Sequence, residues 1–209
     1  MKFGMSIIRG IMVALVLGTT PVALNLPPEA FWELGPIENT EIASFLIGTV
    51  MTFFWYITDT QTTPFRNVWL VTSLLFFLGA AREASWGRIF LASGMDENGP
   101  IVPSMKSLWF GPIIYVVIAM FILLILYLII KNYLLIKCLT FKVFRDKEAI
   151  LYASTFILFF LLSQLVFEKD IIDAISNHHQ GFEEMAEITS YWAAIALIYR
   201  ARIISLNNK

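Results

Sequence analysis

Charge is scarce in this sequence. Asp, Glu, Lys and Arg make up 15% of its 209 residues, against 58% hydrophobic, and the mean hydropathy is +0.72. A soluble domain of this size does not keep so much apolar surface in water, so the bilayer is the expected solvent. Cysteine is nearly absent too: Cys138 stands alone, which excludes an intramolecular disulfide, a Cys-based metal cage and disulfide-exchange chemistry. A phosphate-cradling glycine loop, G-x-S-x-G and H-E-x-x-H are all missing, which argues against nucleotide-driven chemistry and the hydrolases those motifs mark. Nor is there a polar stretch long enough to bury a water-soluble core. Residues 1–209 therefore read as a single integral membrane domain, and nucleic acid is excluded as a partner because no soluble module presents the basic residues.

What is present is a series of apolar runs. Crossing the hydrocarbon core takes about 20 residues at about 1.5 Å each, and about six segments reach that length: about 5–26, 38–57, 67–91, 109–130, 149–167 and 183–204. The fold class expected is all-α, a polytopic transmembrane bundle of about six helices. Two spans carry charge at their ends. The uncharged run of the third stops at Ala81, so its helix is expected to continue through Arg82 and Glu83 towards Leu91. The sixth has an uncharged run of only Ile188 to Tyr199, so it must take in Glu183, Glu184 and Glu187 or Arg200 and Arg202.

Lysine and arginine concentrate in cytoplasmic loops. With the amino terminus inside, Lys2, Arg9, Arg66, Lys131, Lys137, Lys142, Arg145, Lys147, Arg200, Arg202 and Lys209 are cytoplasmic, while Arg82, Arg88, Lys106 and Lys169 lie outside. Both termini are thus expected in the cytoplasm. Trp32, Trp55, Trp69, Trp86 and Trp109 fall near span ends, where an amphipathic ring is favoured. The segment 131–147 interleaves basic residues with Leu134, Leu135, Ile136, Leu139, Phe141, Val143 and Phe144. It fits a helix lying in the interface against anionic lipid at the cytoplasmic face, or a basic connection that only fixes topology.

The residues that could carry chemistry lie towards the outer face. Glu83 is 17 residues beyond Arg66, or about 26 Å along a helix, close to the outer hydrocarbon boundary and between Arg82 and Arg88. An ionisable group at that depth needs a partner and is a functional-site candidate; the plainer reading is an end-of-helix Glu83–Arg88 pair with Trp86 as interface anchor. On the sixth span His179, Glu183 and Glu187 recur every four residues and share a helical face. Imidazole and carboxylates at that spacing suit zinc, manganese or iron, with a carboxylate as general base on a bound water. The plainer reading there is acidic complementarity to the helix dipole. His178 is an alternative ligand on another face. Glu38 and Glu41 open the second span on the same side, so carboxylates from three spans are expected to converge at one level; the plainer reading is the usual acidity of a helix start.

The stretch from Leu78 to Phe90, containing Glu83-Ala84-Ser85-Trp86-Gly87-Arg88, resembles a group of bacterial multi-pass inner-membrane proteins of uncharacterised activity with an E-x-S-W-G-R or E-E-x-S-W-G-Q-R stretch ending a span. The acidic segment Glu33 to Glu38 and the Glu183-Glu184-x-x-Glu187 opening of the last span resemble that group as well. The resemblance implies a multi-pass protein of the bacterial inner membrane with Glu83, Ser85, Trp86, Gly87, Arg88, Glu183, Glu184 and Glu187 as its signature. This sequence departs in having Arg82 in place of a second glutamate and in lacking a residue between Gly87 and Arg88. The CAAX-type proteases and the alkaline ceramidase superfamily are looser analogies, and both patterns fail: E-E-x-x-x-R is absent, and two histidines are too few.

These residues predict a polar, metal-binding pocket at the periplasmic face acting on a lipid or lipid-linked substrate. Glu83 and Arg88 of the third span and Glu183 and Glu187 of the sixth form its catalytic set, with Glu183 or Glu187 as base and Arg88 as anion clamp, and His179, Glu183 and Glu187 hold a divalent metal. The alternative expectation is a non-enzymatic assembly subunit or carrier with a structural Glu83–Arg88 pair, working with a membrane-protein partner or as a homo-oligomer.

Overall fold

The structure is a computed structural model, and it describes residues 2–32, 35–59, 63–96, 99–167, 169 and 178–207. Glu33, Asn98 and Asn177 lie outside the described residues. The chain is helical: α1 (Lys2–Asn25), α2 (Pro36–Thr58), α3 (Thr63–Glu83), α4 (Gly111–Lys131), α5 (Tyr133–Val143), α6 (Lys147–Leu161) and α7 (His179–Leu206). A two-residue antiparallel ladder pairs Met95–Asp96 with Gly99–Pro100 in the connection after α3. Five stretches among the described residues are long and apolar enough to cross a membrane: Gly4–Asn25, Pro28–Thr58, Phe65–Leu91, Gly111–Lys131 and Lys147–Phe167. By length and composition this is a multi-pass membrane protein. Contacts divide the chain into two compact units, one of Met1–Phe31, Gly35–Ile37 and Leu139–Lys209, the other of Trp32–Leu34 and Glu38–Cys138.

In the first unit α7 runs antiparallel to α1. Gly4 lies under the Tyr199 ring at one end, and Gly181 meets the Ala23 carbonyl and the Phe31 ring at the other. Between them, the hydroxyls of Thr19 and Thr189 hydrogen-bond at 3.2 Å. The face of α7 that permits this approach is made of small residues; Ala186, Thr189, Ser190, Ala193 and Ala196 are fully buried, the composition that lets helix backbones come close where lipid offers no hydrophobic driving force. Around Ala23 and Phe31, the side chains of Phe182, Met185, Leu15, Val22 and Phe167 form an apolar cluster.

α6 packs along α7 as well. Its amino terminus is capped by Asp146, whose carboxylate accepts the Ala149 N–H at 2.9 Å, the arrangement that satisfies a free first-turn donor. At the other end α6 widens into a π turn, Leu162–Phe167, and the Phe167 ring rests 5.4 Å from Phe182. The α6–α7 pair is tied at the Asp146 end by charge. Arg200 donates to both Asp146 oxygens at 3.0 and 2.8 Å, reaches Glu148 at 3.2 Å, and Glu148 accepts from Arg9 of α1 at 2.8 Å. Arg9 also donates to the Tyr152 hydroxyl at 3.3 Å. This network sets the starts of α1 and α6 level with the end of α7.

In the second unit α2 and α3 are antiparallel and interlock through reciprocal Phe–Gly contacts. Phe76 of α3 covers Gly48 of α2, while Phe45 of α2 covers Gly79 of α3. A Cβ at Gly48 would lie 2.8 Å from the Phe76 ring, so glycine is required for the approach. The same register continues in one direction through the Ser73 hydroxyl, which donates to the Thr49 carbonyl at 3.1 Å, to Trp69 against Trp55. Near that end Trp69 is almost wholly buried and donates its indole N–H to Asp59 at 3.2 Å, while Arg66 donates to the Tyr56 carbonyl at 3.0 Å. α3 packs on α4 through Val71, Leu74 and Leu78 against Ile125 and Leu128.

One expected element differs. α3 does not continue as a regular helix to Leu91; it stops at Glu83 and the chain turns, for a reason given below. The basic segment 131–147 contains a separate helix, α5, because α4 ends at Asn132, whose side chain is buried and donates back to the Leu128 carbonyl at 2.7 Å. Tyr133, Leu134, Lys137, Cys138 and Phe141 are exposed along it, and Phe144 just beyond its end.

Candidate functional site

Carried one turn further towards the start of α2, the α2–α3 register sets Glu41 opposite Glu83. One carboxylate oxygen of each lies within 4.8 Å of the other. Glu41 is 1% exposed, and the Glu83 side chain is 11% exposed. Glu38, one turn earlier on α2, is buried too. Glu83 pairs with Arg82 at 2.8 Å, and the Arg82 side chain keeps 60% of its surface exposed. An ion pair open to that extent contributes little to stability, about 0–1 kcal/mol, but it keeps an exposed guanidinium beside a shielded carboxylate. Two carboxylates at this range repel unless a cation or a proton intervenes.

The expected Glu83–Arg88 pair is not what the chain forms. After Glu83, Ser85 (φ 45°), Trp86 (φ 56°) and Gly87 (φ 81°) all adopt left-handed backbone, and the Gly87 N–H closes the turn on the Ala84 carbonyl at 2.7 Å. Glycine takes that conformation freely, whereas a residue with a Cβ costs about 1–2 kcal/mol in it. The turn redirects Arg88. Its guanidinium donates to the carbonyls of Ser85 and Pro103, each at 3.0 Å, fastening the turn to the connection that follows. Among the described residues Arg88 forms no ion pair. The Ser-Trp-Gly-Arg stretch is therefore a built turn, with Arg82 rather than Arg88 beside the carboxylate.

On α7 the expected face is present and grades in depth: His179 is exposed, Glu183 half-buried and Glu187 buried. The structure does not gather their ligand atoms into one set among the described residues. His178 and His179 instead line a small crevice of about 80 Å³ with Leu26, Pro28 and Phe31. Glu187 sits in a hydrogen-bonded pocket of its own unit. Its Oε1 accepts from Ser163 Oγ at 3.0 Å and Gln164 Nε2 at 2.7 Å, and its Oε2 accepts from the Tyr191 hydroxyl at 2.6 Å. Ser163 and Gln164 are consecutive, and residues i and i+1 of a regular α-helix do not face one way. Both reach the same oxygen here because they belong to the π turn, a geometry that recurs at functional sites.

Ser163, Gln164 and Tyr191 are the polar residues that reading the sequence for charge passes over. The available signal is Ser163-Gln164 itself, a polar pair inside a span otherwise free of charge, since a buried polar group in lipid must find partners. Glu183 and Glu184 are half-buried at the opening of α7. Compared with protein-family models, curated proteins and solved structures, the chain matches none.

Proposed function

We propose that this chain is a six-span protein of the bacterial inner membrane, both termini cytoplasmic, that performs acid–base chemistry at the periplasmic boundary on the headgroup of a lipid or lipid-linked substrate. The carrying observation is the Glu41–Glu83 approach within 4.8 Å, with the largely exposed Arg82 guanidinium paired to Glu83. In this reading Glu83, the less buried carboxylate, exchanges a proton with the substrate, Glu41 tunes it, and Arg82 swings to an anionic headgroup.

Support for six spans comes from α7, which accompanies α1 from Tyr199 to Gly181, about 27 Å of helix rise, close to a hydrocarbon thickness. The charge network of Arg9, Asp146, Glu148 and Arg200 favours placing the start of α1 and the end of α7 on one side, the side rich in basic residues. α5, with Lys137 exposed among Leu134 and Phe141, suits anionic lipid there.

The test is conversion of labelled membrane lipid extract by the reconstituted protein. Glu83→Gln should lower turnover by about 10²–10⁴, the usual contribution of a positioned acid or base, and Arg88→Gln should not. Equal turnover in Glu83→Gln and the wild type would remove the proposal. One observation favours a second reading, a non-enzymatic assembly subunit or carrier: among the described residues the donors to Glu187 are Ser163, Gln164 and Tyr191, all from the α6–α7 region, as in a carboxylate retained to hold helices together. Under that reading no lipid is converted and Glu187 substitutions disturb only stability.

A further inference from the structure

A slot of about 300 Å³ lies between α3 and α4, lined by apolar side chains including Phe77, Ala81, Trp86, Ile114 and Phe121. It is bounded at both ends. Phe77 and Phe121 meet at 5.7 Å between ring centroids, and the left-handed turn brings Trp86 and Gly87 to the other end. Room between these walls comes from Ala81 and from Gly87, whose side chains are a methyl group and a hydrogen. The slot is separate from the carboxylate pair: Ala81 and Glu83 are two residues apart on α3, about 200° around the helix at 3.6 residues per turn, so the slot and Glu83 occupy opposite faces.

We infer that this slot is a binding site for one acyl chain of an anionic phospholipid. A groove lined almost entirely by apolar side chains and open to the bilayer suits an apolar ligand better than water, and this one has the volume of a small ligand pocket. Both walls belong to helices apolar enough to cross a membrane, so the abundant molecule at its mouth is a lipid chain. The headgroup preference comes from the rim. Lys106 is exposed on the short turn Met105–Ser107 that packs against the start of α4, next to the Ile113–Ile114 end of the slot. The backbone conformation of Trp86, unfavourable for a residue with a side chain, has its physical use here: it turns the indole into the end wall of the slot.

The experiment uses full-length protein in phosphatidylcholine vesicles containing a small fraction of phosphatidylglycerol with a diazirine on one acyl chain. After illumination, label should concentrate on peptides carrying Phe77–Ala81 and Ile113–Phe121 rather than on lipid-facing positions elsewhere, such as Leu151 and Leu158, which are exposed on α6. Ala81→Trp fills the slot and should remove that excess while the α6 label persists; Ile114→Trp, from the opposite wall, does the same should the first variant fail to fold. A phosphatidylcholine probe should label the slot about fivefold less for each basic residue engaged, since each contributes a factor of that order near a membrane surface. Label spread evenly over the lipid-facing surface, or unchanged by both tryptophan variants, would overturn the site. Equal slot labelling by the two probes would overturn the anionic preference. None of these outcomes depends on turnover, so the site stands or falls apart from the enzymatic proposal.

Discussion

Tyr191→Phe separates the two sides of the Glu187 carboxylate. Oε1 has two donors, Ser163 at 3.0 Å and Gln164 at 2.7 Å, whereas Oε2 has the Tyr191 hydroxyl at 2.6 Å. A hydrogen bond to a charged group contributes about 1.5–3 kcal/mol, and leaving a buried acceptor unmet costs its desolvation as well. Glu187 is 7% exposed, so water does not replace the lost donor. Tyr191→Phe should therefore destabilise the protein by about 2–3 kcal/mol. Ser163→Ala leaves Oε1 with Gln164, and interhelical side-chain bonds in membranes average about 0.6 kcal/mol, so its cost should stay below about 1 kcal/mol. Titrating dodecyl sulfate into full-length protein in mixed micelles, with tryptophan fluorescence as the probe, measures both. Trp192, adjacent to Tyr191, reports on this part of α7. Indistinguishable costs for the two variants would refute the asymmetry and, with it, the claim that Glu187 is held by hydrogen bonds rather than by packing.

Other consequences are open to measurement. Gly48→Ala should cost about 1–3 kcal/mol by overpacking against Phe76, and Phe76→Leu in the same chain should recover part of it. Arg88→Gln should cost about 1–2 kcal/mol by releasing the Ser85 and Pro103 carbonyls, and adding Glu83→Gln should give no rescue, because additive losses mark residues that do not interact. Arg200 holds the Asp146 carboxyl below the usual carboxylate range, with the Ala149 N–H helping and burial opposing; the stability this confers is present above the unfolded value of about 4 and is lost as pH falls through the depressed folded value, so the gap between wild type and Asp146→Asn should close on acid titration. Elemental analysis tests the metal reading: zinc, manganese or iron retained by the wild type and released by Glu183→Ala would support the His179–Glu183–Glu187 ligand set, and metal-free protein of unchanged stability in chelator would remove it.

The spans were legible because apolar length is set by bilayer thickness, and α1, α2, α4 and α6 fall close to where their uncharged runs lie. The pairing of α2 with α3 was legible in principle. Phe45-x-x-Gly48 and Phe76-x-x-Gly79 are a matched knob and hole on each helix, and that register alone puts Glu41 across from Glu83. Arg88 was not legible, because its partners depend on a left-handed turn at Ser85 and Trp86 that the local propensity of neither residue favours. A charge beside a charge invites an ion pair on paper. Here the backbone reversal gives Arg88 two carbonyls instead, and the pairing passes to Arg82.

α7 shows why hydropathy is least reliable for the helix that matters most to packing. It falls outside the five stretches that satisfy length and apolarity, yet it is the helix against which α1 and α6 are both laid. A helix facing lipid must be apolar all round, as α4 is, with its exposed Val116, Met120, Leu123 and Tyr127. A helix surrounded by other helices meets a different demand. Small residues at Ala186, Ala193 and Ala196 admit neighbouring backbones, and polar ones at Thr189, Ser190 and Glu187 are tolerated because the Thr19 hydroxyl, the Glu187 carbonyl and the Ser163–Gln164 pair answer them. Each of those choices lowers its apolar score. The polar residues that make α7 look unsuited to a membrane are thus the ones that fix its neighbours, and replacing Thr189 and Ser190 with leucine should raise its hydropathy while destabilising the protein, through overpacking against α1 and α6. A double variant that unfolds no more easily than wild type would show that α7 is not the centre of this unit.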